Sequence, residues 1–381
     1  MRSSTALLLL AGVGVSAQVG MAPLNLALLA LLLGAVAMRR QLQAPRDIVL
    51  PVAAFIGASL FHVIVGTEAL QSWGYATHSR VVLVLILAGA IAAHLSAGQR
   101  LKVLCAVLIT MALSVAYSFY QVFAETVGPL QALHPHALDR PIANHRDASA
   151  WLTFSINGLR GTGMIHHILS FAHVSCMLAL AAAAQAVFGK GKSLVWALFS
   201  VIGVCGVMVS GARAALVGFV IGSSVLGLLY FLRSARSRRF AVVLCVVAIF
   251  SGFFVVSMSP DLRQRIGSFS ARQVLWTQGV KALSDSFPRG IGFGAYPHYA
   301  ERVYASDEAL ENQVKAWAHN TWLSLLAEAP LTVPALIWLL VALFRRALAQ
   351  FERGLDSAWA AAVLASLMSW LVICLFHDSH F

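Results

Sequence analysis

The chain has 381 residues, 59% of them hydrophobic and only 11% charged, with a formal net charge of +12. A soluble globular domain carries charge on about a quarter of its residues, and a disordered chain needs low hydrophobicity with high charge, so both classes are excluded. The mean hydropathy is +0.80, and apolar runs long enough to cross ~30 Å of hydrocarbon recur along the chain, which makes this a polytopic helical membrane protein.

In chain order the apolar runs predict eleven spans, at 4–20, 21–38, 48–66, 79–97, 103–125, 164–187, 193–210, 214–232, 240–258, 320–344 and 358–376. The first has a short basic start but no polar region with a small-residue cleavage site. It is therefore read as a retained span, not a signal peptide. Arg39, Arg40 and Arg46 follow span two, Arg100 and Lys102 span four, and Lys190 and Lys192 span six. Arg233, Arg236, Arg238 and Arg239 follow span eight, and Arg345, Arg346 and Arg353 span ten. These links fall on one side and, with Arg2, hold 15 of the 27 basic residues, so that side is expected to be cytoplasmic. Most of the net charge thus reports topology and not a nucleic-acid surface. The five cysteines all lie inside apolar runs and read as small buried hydrophobes.

The opposite side carries two long links, 126–163 and 259–318, and function concentrates where the chain leaves regular spans. The expected organisation is therefore 1–258 with spans one to nine and the outer loop 126–163, then a large helical outer segment 259–318, then 319–381 with spans ten and eleven. Within the outer segment, Ser270-Ala-Arg-Gln273 has capping-box spacing. Val274, Leu275, Val280 and Leu283 then supply the apolar side of a helix that stops at Pro288. Gly290-Ile-Gly-Phe-Gly294 reads as a loop between helices. A second polar helix over roughly Asp307–Ala318 is expected to run straight into span ten.

Several chemistries are missing. There is no Asp-x-Asp pair outside the spans to chelate a metal for a nucleotide sugar, and no His-Glu-x-x-His. Gly191-Lys-Ser193 has Ala186 where a P-loop requires glycine, and no strand precedes it. Glu328 alone among acidic residues sits well within a span, whereas a proton-driven transporter would offer more. What remains is basic: Arg140, Arg146, Arg160, Arg213, Arg263, Arg265, Arg272, Arg289 and Arg302 all fall on the outer side. The arginine fork suits phosphate oxygens, so this set could hold a lipid-linked phosphate or pyrophosphate. Outer loops tolerate arginine freely, which accounts for Arg140, Arg146 and Arg302. Arg213 stands in a three-residue link that needs no charge.

Four motifs carry a resemblance to a known family. They are Arg160-Gly-Thr-Gly163 with His166 and His167, Ser210-Gly-Ala-Arg213, Arg272-Gln-Val-Leu-Trp276 with Pro288-Arg-Gly-Ile-Gly-Phe-Gly294, and Ala318-His-Asn-Thr-Trp-Leu-Ser-Leu-Leu-Ala-Glu328. In this order the chain resembles the O-antigen ligase and polymerase superfamily. The resemblance implies an all-α integral membrane bundle of about 11–12 spans with a GT-C-type glycosyltransferase fold. It departs in one respect: the family has about a dozen spans with both ends cytoplasmic, and eleven spans leave Phe381 outside.

The implied reaction moves a glycan from undecaprenyl pyrophosphate to the lipid A core, at the periplasmic face of the bacterial inner membrane. Polymerases of the superfamily pass the glycan instead to another carrier-linked repeat unit. A sugar pyrophosphate is already activated, so no metal, nucleotide or other cofactor is expected. The family's arginine maps to Arg272, which the resemblance places on the pyrophosphate; Arg213 would hold the second phosphate and Arg160 would assist. Arg265, seven residues before Arg272, is a further candidate if one helix runs through both. His319, with Asn320 beside it, would be the general base toward the acceptor hydroxyl, a role suited to histidine near neutral pH. Glu328 would lie ~13.5 Å further along a continuing helix and on its opposite face, so it would not orient His319. Trp276, one turn after Arg272, would line a sugar or lipid path, and His166 and His167 read as interfacial. A transporter of the same lipid-linked glycan is the rival of a different class, disfavoured because the arginines lie on one face.

Overall fold

The computed structural model describes residues 8–12, 46–67, 95–124, 161–165, 168–190, 193–233, 268–304 and 320–376. At 165, 168, 213, 268–273, 304 and 376 it describes the backbone but not the side chain. Among these residues there are helices and turns and no strand. The helices are α1 (Arg46–Val65), α2 (Ala97–Phe123), α3 (Ile168–Phe188), α4 (Ser193–Ser210), α5 (Arg213–Leu232), α6 (Ser268–Ser286), α7 (Tyr296–Tyr304), α8 (Thr321–Glu328), α9 (Thr332–Glu352) and α10 (Ser357–Phe376). A 3-10 turn, Gly163–Ile165, precedes α3. Seven of these, α1 to α5, α9 and α10, are long and apolar enough to cross a membrane.

Those seven correspond to seven of the eleven expected spans. The spans at 4–20, 21–38, 79–97 and 240–258 lie wholly or largely outside the described residues, as does the helix expected at Asp307–Ala318. Several boundaries need correcting. Arg100 and Lys102 are not in a link but in the first turns of α2, because Ser96 caps that helix earlier than hydropathy suggests. Its Oγ accepts from Gln99 N–H at 3.3 Å while Gln99 Oε1 accepts from Ser96 N–H at 3.0 Å, a reciprocal capping box. Helix α6 begins at Ser268, so Ser270 lies in its first turn and is not its cap. Its buried stripe is Leu275, Gln278, Ala282 and Ser286, whereas Val274 and Val280 are exposed. A repeat of 3.6 residues keeps the first four on one face and turns the two valines off it.

Span ten is not one helix. Helix α8 ends at Glu328, Ala329 turns out of helical geometry at φ −151°, and α9 starts at Thr332. Pro330 has no N–H to continue the ladder, whereas Pro334 falls in the first turn of α9, where proline is tolerated. At the other end of α8, Asn320 is extended (φ −152°, ψ 108°), so the chain does not enter α8 as a continuous helix.

The chain forms two compact units, 1–44 with 84–226 and 347–370, and 45–83 with 227–346 and 371–381. In the first, α3 packs along α4 through small residues. A Cβ at Gly203 would stand 2.7 Å from the Ala179 Cβ, and one at Gly206 would stand 2.8 Å from the Ser175 Oγ. Close approach through small side chains is how helices pair where lipid removes the hydrophobic drive. Leu104, Leu108, Met111 and Val115 of α2 complete that core with Phe171, Trp196 and Val209. One end is tied by the Arg100–Asp356 ion pair at 2.8 Å and the Phe188–Phe351 ring contact.

In the second unit α1 and α9 run antiparallel. Asp47 and Arg346 pair at 3.3 Å at one end, and His62 meets the Leu331 N–H at 3.2 Å at the other. Asp47 and Arg346 thus mark one end of this pair, and the loop 287–295 that meets His62 lies at the opposite one. Helices α6, α7 and α8 close around Ala282, Ile291, Tyr296, Tyr299 and Ala327.

Candidate functional site

Each unit gathers two of the four motifs. In the first, the segment Gly161–Met164 is bound amide by amide to its neighbours. Gly161 N–H donates to the Val209 carbonyl at 3.0 Å. Thr162 and Gly163 N–H both donate to Gln121 Oε1 at 3.1 Å, and Met164 N–H donates to Ser114 Oγ at 2.9 Å. Four consecutive amides are thus satisfied without water, as irregular backbone at membrane depth requires. Gln121 is fully buried and also gives its Nε2–H to Thr162 Oγ1 at 3.1 Å. Gly163, at φ +56°, occupies a conformation that other residues rarely adopt.

The bond from Gly161 to Val209 brings the Arg160 motif against the Arg213 motif, which begins one residue later. Ser210 Oγ accepts from Ala212 N–H at 3.2 Å, Gly211 turns at φ +64°, and Ala212 accepts the first helical bond, from Leu216. Arg213 is therefore the first residue of α5, at the end where helix amides leave positive potential. This explains the three-residue link: it is a buried helix-to-helix turn, with Ser210 fully buried. Arg160 lies outside the described residues, as do His166 and His167.

In the second unit the glycine pentad is a loop, as its composition predicts, but what it encloses could not be read from its own residues. Gly290, Gly292 and Gly294 have φ of +72°, +120° and +79°. That backbone path folds the loop onto the end of α8. Ile291 N–H donates to the Ala327 carbonyl at 3.0 Å and Gly292 N–H to the Glu328 carbonyl at 2.9 Å. The Glu328 carboxylate, buried, then accepts from Gly294 N–H at 2.9 Å and Tyr296 N–H at 3.0 Å. A carboxylate on the leading amides of α7 is well placed for both hydrogen bonding and the helix dipole. The lone acidic residue of span ten thus ties the loop to the end of α8.

His62, on α1, is a residue the motifs did not single out. It is fully buried, its Nδ1 lies 2.6 Å from the Arg289 carbonyl, and its Nε2 lies 3.2 Å from the Leu331 N–H. The amide can only donate and the carbonyl only accept, so the ring is the neutral tautomer with hydrogen on Nδ1. One turn on, Thr67 N–H donates to the Gly290 carbonyl at 3.2 Å. The loop that presents the exposed Arg289 is therefore fixed from α1, α8 and the start of α9. The only sequence signal for His62 was a histidine buried in an apolar run.

The remaining candidates take these places. Arg272 is the fifth residue of α6, and Trp276, half-buried, stands one turn later. Ser286 Oγ donates to the Ala327 carbonyl at 3.2 Å, so the C-terminal ends of α6 and α8 meet. Arg272, fourteen residues before Ser286, lies ~21 Å along α6 from that meeting point. The structure therefore separates Arg272 from the glycine loop with which it was grouped. Asn320 is the N-cap of α8, its Oδ1 accepting from Trp322 and Leu323 N–H, both at 3.1 Å. His319, the residue before that cap, and Arg265 lie outside the described residues.

Seven apolar helices with buried, internally satisfied irregular segments define a polytopic membrane protein, with Arg213 and Arg272 in the first turns of two of the described helices. The sequence model of the family described as O-Antigen ligase matches residues 198–329. The match runs from α4 to the end of α8 and takes in the Arg213, Arg272, glycine-loop and Asn320–Glu328 motifs. Arg160 lies upstream of it. No curated protein and no solved structure matches the chain.

Proposed function

We propose that the protein is a metal-independent inverting glycosyltransferase that moves an O-antigen glycan from undecaprenyl pyrophosphate to lipid A core. The site would face the periplasm from a bacterial inner membrane, with the basic links on the cytoplasmic side. The observation that carries the reading is the family match at 198–329, which takes in three of the four motifs that the sequence singled out.

The chemistry follows from the residue types. The acceptor hydroxyl oxygen bonds to the anomeric carbon as the bond from that carbon to the pyrophosphate oxygen breaks. The hydroxyl proton passes to the His319 imidazole, and the electron pair leaves with the lipid pyrophosphate. Arg272 and Arg213, with Arg160 and Arg265 in support, stabilise charge that develops only as the pyrophosphate departs, the condition under which fixed cations accelerate a reaction. Asn320 has a defined part in this scheme. It caps α8, and His319 is its neighbour in the chain. Trp276 would flank the sugar or the lipid.

The test is transfer by the purified full chain in lipid, given lipid-linked donor and lipid A core, without nucleotide and in the presence of chelator. A new glycosidic product on lipid A core is the expected result. Product only on a second carrier-linked repeat unit would instead make it a polymerase. Donor movement across the bilayer with no new bond would make it a transporter.

A further inference from the structure

A groove of about 530 Å³ opens at the end of the second unit remote from the glycine loop, lined by Asp47, Trp338, Val341, Ala342, Arg345 and Arg346. Trp338, Val341, Ala342 and Arg345 are spaced by three, four and seven residues along α9 and so form one stripe. Trp338 and Val341 are 49% and 48% exposed on a helix apolar enough to span a membrane, so the stripe faces lipid. Seven residues separate Trp338 from Arg345, which gives the groove an apolar wall reaching ~10 Å from the guanidinium. Across it, Arg346 Nη1 donates to Asp47 Oδ1 at 3.3 Å and Oδ2 at 3.4 Å, with both side chains about half exposed. Arg345 is exposed and pairs with no carboxylate among the described residues.

We propose that this groove binds an anionic phospholipid of the surrounding leaflet, with its phosphate on Arg345 and Arg346 and an acyl chain along Trp338 and Val341. Two guanidiniums against one carboxylate leave the mouth positive, and the planar forks match phosphate oxygens. A basic pocket between spans, on the side richer in basic links, is where such headgroups are held. A zwitterionic headgroup would bring its own cation against the arginines. A free phosphate would leave the apolar wall without an occupant. Trp338 suits the boundary between headgroup and chain, being apolar with one polar edge. The site is separate from the motif ends, and it does not depend on the reaction proposed above.

Native mass spectrometry of the full chain, released from micelles containing phosphatidylglycerol or phosphatidylcholine with the same acyl chains, tests it. The protein should retain one phosphatidylglycerol about tenfold more strongly than phosphatidylcholine. The double variant Arg345→Ala/Arg346→Ala should lose that preference, and Arg302→Ala should keep it. Because the double variant also breaks the ion pair with Asp47, Arg345→Glu is the second arm. It leaves the pair intact and should abolish the preference with the thermal midpoint unchanged. Equal retention of the two lipids by the native chain, an undiminished preference in Arg345→Glu, or displacement of the lipid by millimolar inorganic phosphate would each overturn the proposal.

Discussion

The two motif ends solve the same problem with different groups. In the first unit, irregular backbone at 161–164 is held by Gln121, Ser114 and the Val209 carbonyl, all neutral. In the second, the loop 287–295 is held by a buried carboxylate, Glu328, and a buried imidazole, His62. The first closes a turn of four residues against two helices already packed along their lengths. The second must pin a loop of nine residues between α6 and α7, and it does so through a carboxylate 34 positions beyond Gly294, an acceptor stronger than a neutral amide oxygen. The difference teaches that the two irregular segments rest on supports of unequal cost. Removing Glu328 or Gln121 leaves two backbone amides unpaired in either case, and the loss is larger where the acceptor was a carboxylate.

The largest expected effects fall on one arginine from each unit. Arg272→Lys keeps the charge but loses the bidentate fork, and should lower transfer by roughly 10²-fold at normal expression, measured as product formed on lipid A core. Arg213→Lys should do the same from the other unit. Full activity in one alone would show that only one motif end contacts pyrophosphate. Glu328→Ala comes next. It strips two buried amides of a charged acceptor and should cost about 3 kcal/mol or more, read as a lowered thermal midpoint in micelles. Gln121→Ala leaves two amides without a neutral acceptor and should cost about 2 kcal/mol. A Gln121 variant less stable than the Glu328 variant would reverse the comparison. The smallest effect is expected at Arg140, where replacement by alanine should leave transfer nearly unchanged.

Legibility in the sequence followed the range of the forces involved. Spans are set by runs of apolar residues, so seven could be placed before any coordinates were known. Their ends are set by single caps, and there the reading slipped. The same Ser-x-x-Gln spacing marks a true cap at Ser96 and begins within the first turn of α6 at Ser270. The break at Ala329–Leu331 was signalled by Pro330 but averaged away by hydropathy. The glycine pentad was legible as a loop because glycine alone adopts its φ values. Its closure on Glu328, and the grip of His62 on a carbonyl 227 residues away, depend on long-range packing that spacing does not encode. Of the site, the sequence supplied the motifs and their order, and the coordinates supplied which motifs share a unit.

The central claim is that His319 takes the proton while arginines hold the leaving group, and it is tested most directly by one variant assayed two ways. Purified His319→Ala should bind lipid-linked donor with unchanged affinity, because Arg272 and Arg213 remain. In the same preparation, single-turnover transfer to lipid A core should fall by ~10²–10⁴ at every pH from about 6 to 9. Transfer at the native rate anywhere in that range would contradict the account.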